Sequence, residues 1–333
     1  MLTSTTLPGL TSYGEGQWTD RLAGDEIAEL AVLLDELGFD HILVPEHLVM
    51  HRDAVPNLGA RWSHSLSAIG MIIGATRKIQ VSALIVLPYH GAVELAKALA
   101  TLDFLSCGRI TLVAAVGYMQ WEFDLVGAPL NERGKMVDEY LDAMIELWTA
   151  DEPRFAGKFV NFEDIVFEPK PVQSPHLPIW LAGAAKATVR RIARVGTGWL
   201  TYNITRAQLP GMLDYLAEQP EMIARPRVIE IGMPLFEYNK HPVTHELLET
   251  PVVSLDSDAV FEQVNLLADL GTSMIRVDAA LGTGGTGASE AWRGGKHIGG
   301  PKSKEEYIER AHWFAEEIMP EMKSIQPRRA VGV

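Results

Sequence analysis

The sequence predicts a single (β/α)8 barrel over residues 1–333, with insertions in the loops that follow its strands. Three observations carry that expectation. Strand-like and helix-like apolar periods alternate along the chain as eight successive units. The run "IQVSALIVLP", residues 79–88, is apolar almost throughout, as in a strand covered on both faces of a parallel sheet. Glycines punctuate the predicted helices, Gly38 closing the first and Gly108 the third. Right-handed βα units in this number close into a barrel, and an open doubly wound sheet is the alternative that the same pattern allows.

The elements follow in order. A weak first strand spans 2–8, and Ile27, Leu30, Ala31, Leu34 and Leu37 form one face of the first helix. A strand at 41–44, a helix through Leu66, Ile69 and Ile73, the strand 79–88, a helix at 92–105 and a strand at 109–116 come next. Val137, Tyr140, Leu141, Met144, Ile145 and Trp148 then repeat at spacings of three and four, the cleanest amphipathic helix in the chain. The second half alternates "PIWLAG" with the helix "AAKATVRRIARVG", "GWLTY" with a helix at 205–218, "RVIEIGMPLFEY" with a helix at 257–270, and "SMIRVDAA" with a last helix. That last helix opens on a capping box, Ser303 to Glu306, and turns Ile308, Ala311, Ala315 and Ile318 inward. Segments 48–63, 117–133, 150–177, 236–256 and 281–302 belong to no unit. Those that follow strands fall on the C-terminal face, where barrel enzymes keep their chemistry.

Composition narrows the function. Lysine and arginine number 29 against 43 acids, a net charge of −14, which repels nucleic acid and anionic membranes. The one cysteine, Cys107, excludes an internal disulfide and a cysteine-based zinc site, and fits a reducing cytoplasm. The opening "MLTSTTLPGL" lacks the basic and apolar regions of a signal peptide, and no apolar run approaches the ~20 residues that span a bilayer. The expected molecule is soluble and cytoplasmic, with a small-molecule substrate.

Two stretches carry candidate chemistry. "HILVPEH" ends a strand by presenting Glu46 beside His47, an acid next to an imidazole that can exchange protons near neutral pH. The residues alone leave open a plainer role, a capping acid and a histidine bonded to backbone. "WLAGAAKATVRR" runs from a strand through Gly183 into a helix N-terminus, whose unpaired amides and dipole favour an anion such as phosphate. Thr188 and the cations Lys186, Arg190 and Arg191 add to that reading, although arginines on a helix also serve as a solvated face. No metal is expected. The ten histidines, among them His41, His47, His51, His64 and His90, show neither His-x-His nor His-Glu-x-x-His spacing.

Taken together, "LGFDHILVPEH", the stretch from "SALIVLPYHGAVELAKALATLDFLSCGRITLVAAVGYMQWEFDLVG" and "PIWLAGAAKATVRRIARVGTGW" resemble the bacterial luciferase-like superfamily of flavin- and deazaflavin-dependent enzymes. The resemblance covers most of residues 26–200 and includes the segment Leu102-Asp103-Phe104-Leu105-Ser106-Cys107-Gly108-Arg109. It implies a (β/α)8 barrel binding FMN or coenzyme F420 at the C-terminal face, and a homodimer. It also implies a non-prolyl cis peptide at Ala83–Leu84, just after Ser82, bulging against the cofactor ring. Gly183, Ala184, Ala185 and Thr188 match the phosphate-holding turn, and Glu46 and His47 match the strand-two position that faces the ring.

The resemblance also points to a branch. FMN-using luciferases carry an arginine after strand four, where this chain has Val116-Gly117, so the form "VGYMQWEFDLVGAPLNERG" is more similar to the F420-dependent branch. Arg52, Arg61 and Lys186 are the rim cations offered to the acidic tail of F420. Tyr118 stands where sugar-phosphate dehydrogenases of that branch place a glutamate, which argues against glucose 6-phosphate. Leu48, Met50, Trp62 and Trp121 suggest a hydrophobic ligand. The expected reaction is hydride transfer between F420 and an alcohol, ketone or activated alkene. His47 exchanges the proton, Glu46 orients it, and Tyr118 is a lesser donor. The rival readings are an FMN-dependent monooxygenase fed by a separate reductase and a non-catalytic flavin-binding protein. A metal-dependent barrel hydrolase is a weaker third.

Overall fold

The computed structural model describes residues 1–12, 17–236, 252–282, 290–293, 296–297 and 300–329. Eight strands form the expected closed barrel: β1 (Leu2–Thr6), β2 (His41–Val44), β3 (Gln80–Val86), β4 (Ile110–Ala115), β5 (Ile179–Ala182), β6 (Gly198–Leu200), β7 (Glu230–Pro234) and β8 (Met274–Arg276). Each pairs in parallel with its sequence neighbours, and β8 returns to β1 through Leu2↔Met274 and Ser4↔Arg276. The doubly wound alternative is thereby excluded.

The outer helices are α1 (Gly24–Glu36), α2 (Ser65–Ala75), α3 (Ala92–Ser106), α4 (Arg133–Thr149), α5 (Lys186–Val195), α6 (Leu209–Ala217), α7 (Ser257–Asp269) and α8 (Lys304–Trp313). Glycine and a left-handed turn stop them where the sequence said, with φ +81° at Gly38, and φ +58° and +84° at Cys107 and Gly108. The α8 box is half formed. Ser303 accepts from the Glu306 amide, but the Glu306 carboxylate reaches back to the Lys302 amide.

Several boundaries differ from expectation; the first strand stops at Thr6 and α6 starts at Leu209. The eighth strand ends at Arg276, and Asp278–Leu281 turns into a short helix, because the Asp278 carboxylate takes the Thr6 amide and hydroxyl at 2.7 and 3.0 Å. Segment 150–177 follows α4, so it lies at the opposite end of the barrel from the strand-end loops and contributes a small hairpin, Phe155–Ala156 with Asn161–Phe162. Most of the predicted insertions 236–256 and 281–302, and Tyr238 of the seventh predicted strand, lie outside the described residues.

Alternation along the strands sorts the core into two layers. Leu43, Leu84, Val113, Trp180, Leu200 and Met274 fill the barrel, while Ile42, Val81, Ala83, Ile85 and Leu112 pack under the helices. Trp180 occupies so much of the interior that a Cβ on Gly198 would stand 2.2 Å from its indole. Lower down, His41 shares a 3.0 Å hydrogen bond with Ser82. Burial pushes the His41 imidazole down from 6.5 to about 4, against the opposing pull of Asp40.

That shift has a sign. Below about pH 6.5 the unfolded chain takes a proton at His41 that the folded chain refuses. The contribution is complete above about pH 6.5 and is lost as pH falls towards 4. We expect the stability of His41→Asn, followed by urea unfolding, to fall less steeply over that range than wild type, by on the order of 3 kcal/mol. Parallel pH profiles would remove His41 from the acid response.

Candidate active site

Groups from β2, β3 and β4 converge at the C-terminal face. The chain leaves β2 through Pro45 and presents Glu46 and His47, which line one cleft but bond to different partners. His47 Nδ1 lies 2.8 Å from Glu122 Oε2, in the short helix Gln120–Val126 that follows β4. Glu122 is completely buried and also accepts from the amides of Leu48 (2.6 Å) and Val49 (3.3 Å) and from Tyr89 Oη (2.9 Å). Burial alone would raise the Glu122 carboxyl, but the bonds from His47, Leu48 and Tyr89 outweigh it and hold the group below the usual carboxylate range. Burial, then the charge of Glu122, pushes the Tyr89 phenol far up, so it remains a donor.

Glu46 has other partners. Its Oε2 accepts from the Val86 amide at 2.7 Å, and its Oε1 meets His90 Nε2 at 2.9 Å. This corrects the sequence reading, in which Glu46 orients His47: Glu122 does that, and Glu46 belongs to His90. Glu122, Tyr89 and His90 were missed. The available signals were an acid flanked by aromatics in "QWEFD" and the polar ending of "VLPYH".

Rings enclose His47. Trp62 stands edge-on at 4.5 Å between centroids, and Tyr118, which is 41% exposed, at 6.2 Å. A cleft of about 80 Å³ is lined by Glu46, His47, Leu48, Trp62, His64 and Ser65. Gly117, with φ +73°, allows Val86 and Phe123 to meet beneath Tyr118; a Cβ there would lie 2.6 and 2.8 Å from them. Val116 packs against the main core.

The strand-three expectation changes. The Ala83–Leu84 bond is trans, and the cis bonds among the described residues are Glu168–Pro169 and Ser174–Pro175. β3 pairs with β4 without interruption from Val81 to Val86, so nothing forces a costly non-prolyl cis bond. Ala83 faces the helices, Leu84 the barrel interior, and Ser82 is committed to His41.

After β5 the chain turns through Gly183 into the N-terminus of α5. Gly183 has φ +126°, and a Cβ there would approach Thr188 Oγ1 to 3.3 Å. Trp199 Nε1 donates to Gly183 O at 2.8 Å, which holds the turn, and the Thr188 amide is already bonded back to Ala185 O. The amides of Ala185, Lys186 and Ala187 precede it at the α5 N-terminus, next to the buried Thr188, a donor set that fits phosphate. The proposed cations do not join it. Lys186 lies over the Tyr215 ring, Arg190 bonds Tyr215 Oη, and Arg191 bonds Asp138 and Gly134 O. Arg61 donates to Thr19 and Asp20 carbonyls, and Arg52 is exposed. Among the described residues no cluster of three or more potential ligands could hold a metal, and no helix is long and apolar enough to cross a membrane.

A closed parallel barrel whose titratable groups gather at the carboxyl ends of adjacent strands has the architecture of a barrel enzyme. The chain belongs to the luciferase-like monooxygenase family, whose model matches residues 1–236. It is 36% identical over 189 residues to an uncharacterised protein of Mycobacterium tuberculosis, covering 52% of this chain and 66% of that one. It is 27% identical to an FMNH2-dependent dimethylsulfone monooxygenase of Pseudomonas putida, over 62% of this chain and 56% of the relative. With an F420-dependent glucose-6-phosphate dehydrogenase of Nakamurella multipartita it shares 26% identity, over 57% and 55%. The matches thus span between about half and two thirds of these relatives. The crystal structure of monooxygenase RslO1 from Streptomyces bottropensis superposes with a TM-score of 0.74 at 21% identity, over 96% of this chain and 99% of that one, and shares its fold.

We expect Glu122→Gln to retain cofactor affinity but lower kcat by roughly 10-fold or more, since the neutral amide no longer fixes the His47 tautomer. An unchanged kcat would make Glu122 a structural group only.

Proposed function

We propose that this protein is an oxidoreductase that transfers a hydride between coenzyme F420 and a small apolar alcohol, ketone or activated alkene. The observation that carries the reading is His47 held through Nδ1 by the buried, ionised Glu122. With Nδ1–H donated to that carboxylate, Nε2 is the nitrogen that exchanges a proton.

The amide turn at Gly183 to Ala187 and the Thr188 hydroxyl would hold the cofactor's phosphodiester. When bound, the cofactor supplies or accepts the hydride. On reduction of a carbonyl, His47 Nε2 gives a proton to the substrate oxygen; on oxidation of an alcohol it takes one. Glu122 keeps the ring in register, and Trp62 limits its rotation. Tyr118, with its ring centroid 6.2 Å from that of His47 and partly exposed, contacts substrate and is the lesser donor. The similarity to an F420-dependent dehydrogenase supports the cofactor, and Val116-Gly117 in place of an arginine supports the branch.

A second reading, an FMN-dependent monooxygenase supplied by a separate reductase, draws on the dimethylsulfone monooxygenase similarity. A carrier that binds flavin without turnover is disfavoured by the buried His47–Glu122 pair, which such a protein does not need. Anaerobic incubation with reduced F420 and a panel of apolar ketones and enones, run beside an aerobic incubation of the same panel with reduced FMN, decides between them. Substrate-dependent appearance of oxidised F420 is the expected result. Substrate-dependent oxygen uptake with reduced FMN, and no F420 oxidation, would replace the first reading by the second.

A further inference from the structure

We propose that Glu46 and His90 form a proton relay that recharges His47 from solvent while the cleft mouth is covered. The inference rests on His47 being the proton-exchanging group. Its basis is the second histidine–carboxylate pair at the same site. Glu46 lines the cleft that His47 lines, yet its side chain is only 2% exposed and is bonded to His90, whose side chain is 14% exposed at the start of α3. One carboxylate therefore touches the cleft and, through one imidazole, solvent.

The cleft has room for the connection. About 80 Å³ accommodates several water molecules, each of which needs about 10–15 Å³ by this measure. Polar partners line it on both sides, Glu46 and His47 among them. The proton balance closes. A proton enters at His90 Nδ1, the Nε2 proton passes to Glu46 Oε1, and Glu46 protonates a cleft water that passes a proton to His47 Nε2. One proton enters, one reaches His47, and the relay resets by tautomer exchange at His90.

His64 is the competing route, since it lines the same cleft and is exposed. Its Nδ1, however, accepts from the Ser67 amide at 3.4 Å and meets Ser67 Oγ at 3.1 Å, which caps α2. Protonating Nδ1 would break that cap, and a ligand over His47 also covers His64's side of the cleft. The other groups facing the pair, Tyr89 and Glu122, are locked to one another and to His47.

The test uses 15N-histidine protein saturated with F420, or with FMN if that cofactor binds instead, the binding being checked by fluorescence. NMR then reads solvent exchange of the His47 ring proton. Exchange is expected to slow about tenfold in Glu46→Gln and in His90→Gln, and to recover when millimolar imidazole is added. His47 chemical shifts that match wild type show an intact Glu122 bond. Unchanged exchange in both variants would overturn the relay, as would slowed exchange that imidazole fails to restore. Failure of either cofactor to bind shows separately in the fluorescence and overturns the underlying assignment together with the relay.

Discussion

Replacing His47 with Asn lowers kcat by about 10² or more and leaves cofactor affinity within roughly twofold. The asymmetry follows from the geometry. The groups fitted to phosphate sit on β5 and α5, whereas His47 is on the β2 loop, anchored to Glu122 and not to the turn at Gly183. Asn keeps a polar group of similar reach but cannot exchange a proton near neutral pH. Steady-state kinetics and a fluorescence titration on the same preparation check both halves. Turnover equal to wild type would take His47 out of the mechanism.

Arg109→Met destabilises the fold by on the order of 4 kcal/mol, read as a shift of the urea midpoint at unchanged slope. Arg109 is buried at the start of β4, the end of the barrel away from the site, and donates five hydrogen bonds. They go to the carbonyls of Ser106, Ile79, Ile73 and Thr76 and to Thr76 Oγ1, at 2.9–3.3 Å. Methionine fills similar space but removes every one of those donors, leaving only Thr76 O with a second side-chain donor, Arg77 Nη1 at 2.8 Å. Arg190→Met, which removes an exposed bond to Tyr215 Oη, should stay within about 0.5 kcal/mol. A loss below about 1 kcal/mol at Arg109 would show that water satisfies the exposed acceptors.

Arg109 explains why the fold was so legible. It belongs to the "LDFLSCGR" segment that carries the family resemblance, and the buried polar residues of that segment are scaffold. Asp103 takes the Val172 and Gln173 amides, Gly108 supplies a left-handed turn, and Arg109 ties β4 to the end of α2. Periodicity and glycine stops are local properties, so β2 at 41–44 was legible to the residue. The strand after Met274 was not, because Asp278 finds its partner 272 residues away at Thr6.

The site was legible in part for the same reason. Gly183 and Thr188 are neighbours in sequence and form one turn. Glu46 and His47 are neighbours too, but they bond to different partners, 44 and 75 residues distant. Which acid of the 117–133 segment turns inward depends on the phase of a seven-residue helix, which the sequence leaves undetermined. Charge in sequence says nothing of commitment: the rim candidate Arg61 bonds backbone carbonyls, Lys186 lies over Tyr215, and the helix arginines Arg190 and Arg191 each bond a side-chain oxygen.

The most direct measurement is a parallel fluorescence titration of the purified protein with F420 and FMN. Micromolar binding of F420, weakened at least tenfold when Gly183→Val distorts the amide turn, is the result expected. Tight FMN binding with none of F420 would reassign the cofactor, and binding of neither would contradict the oxidoreductase reading itself.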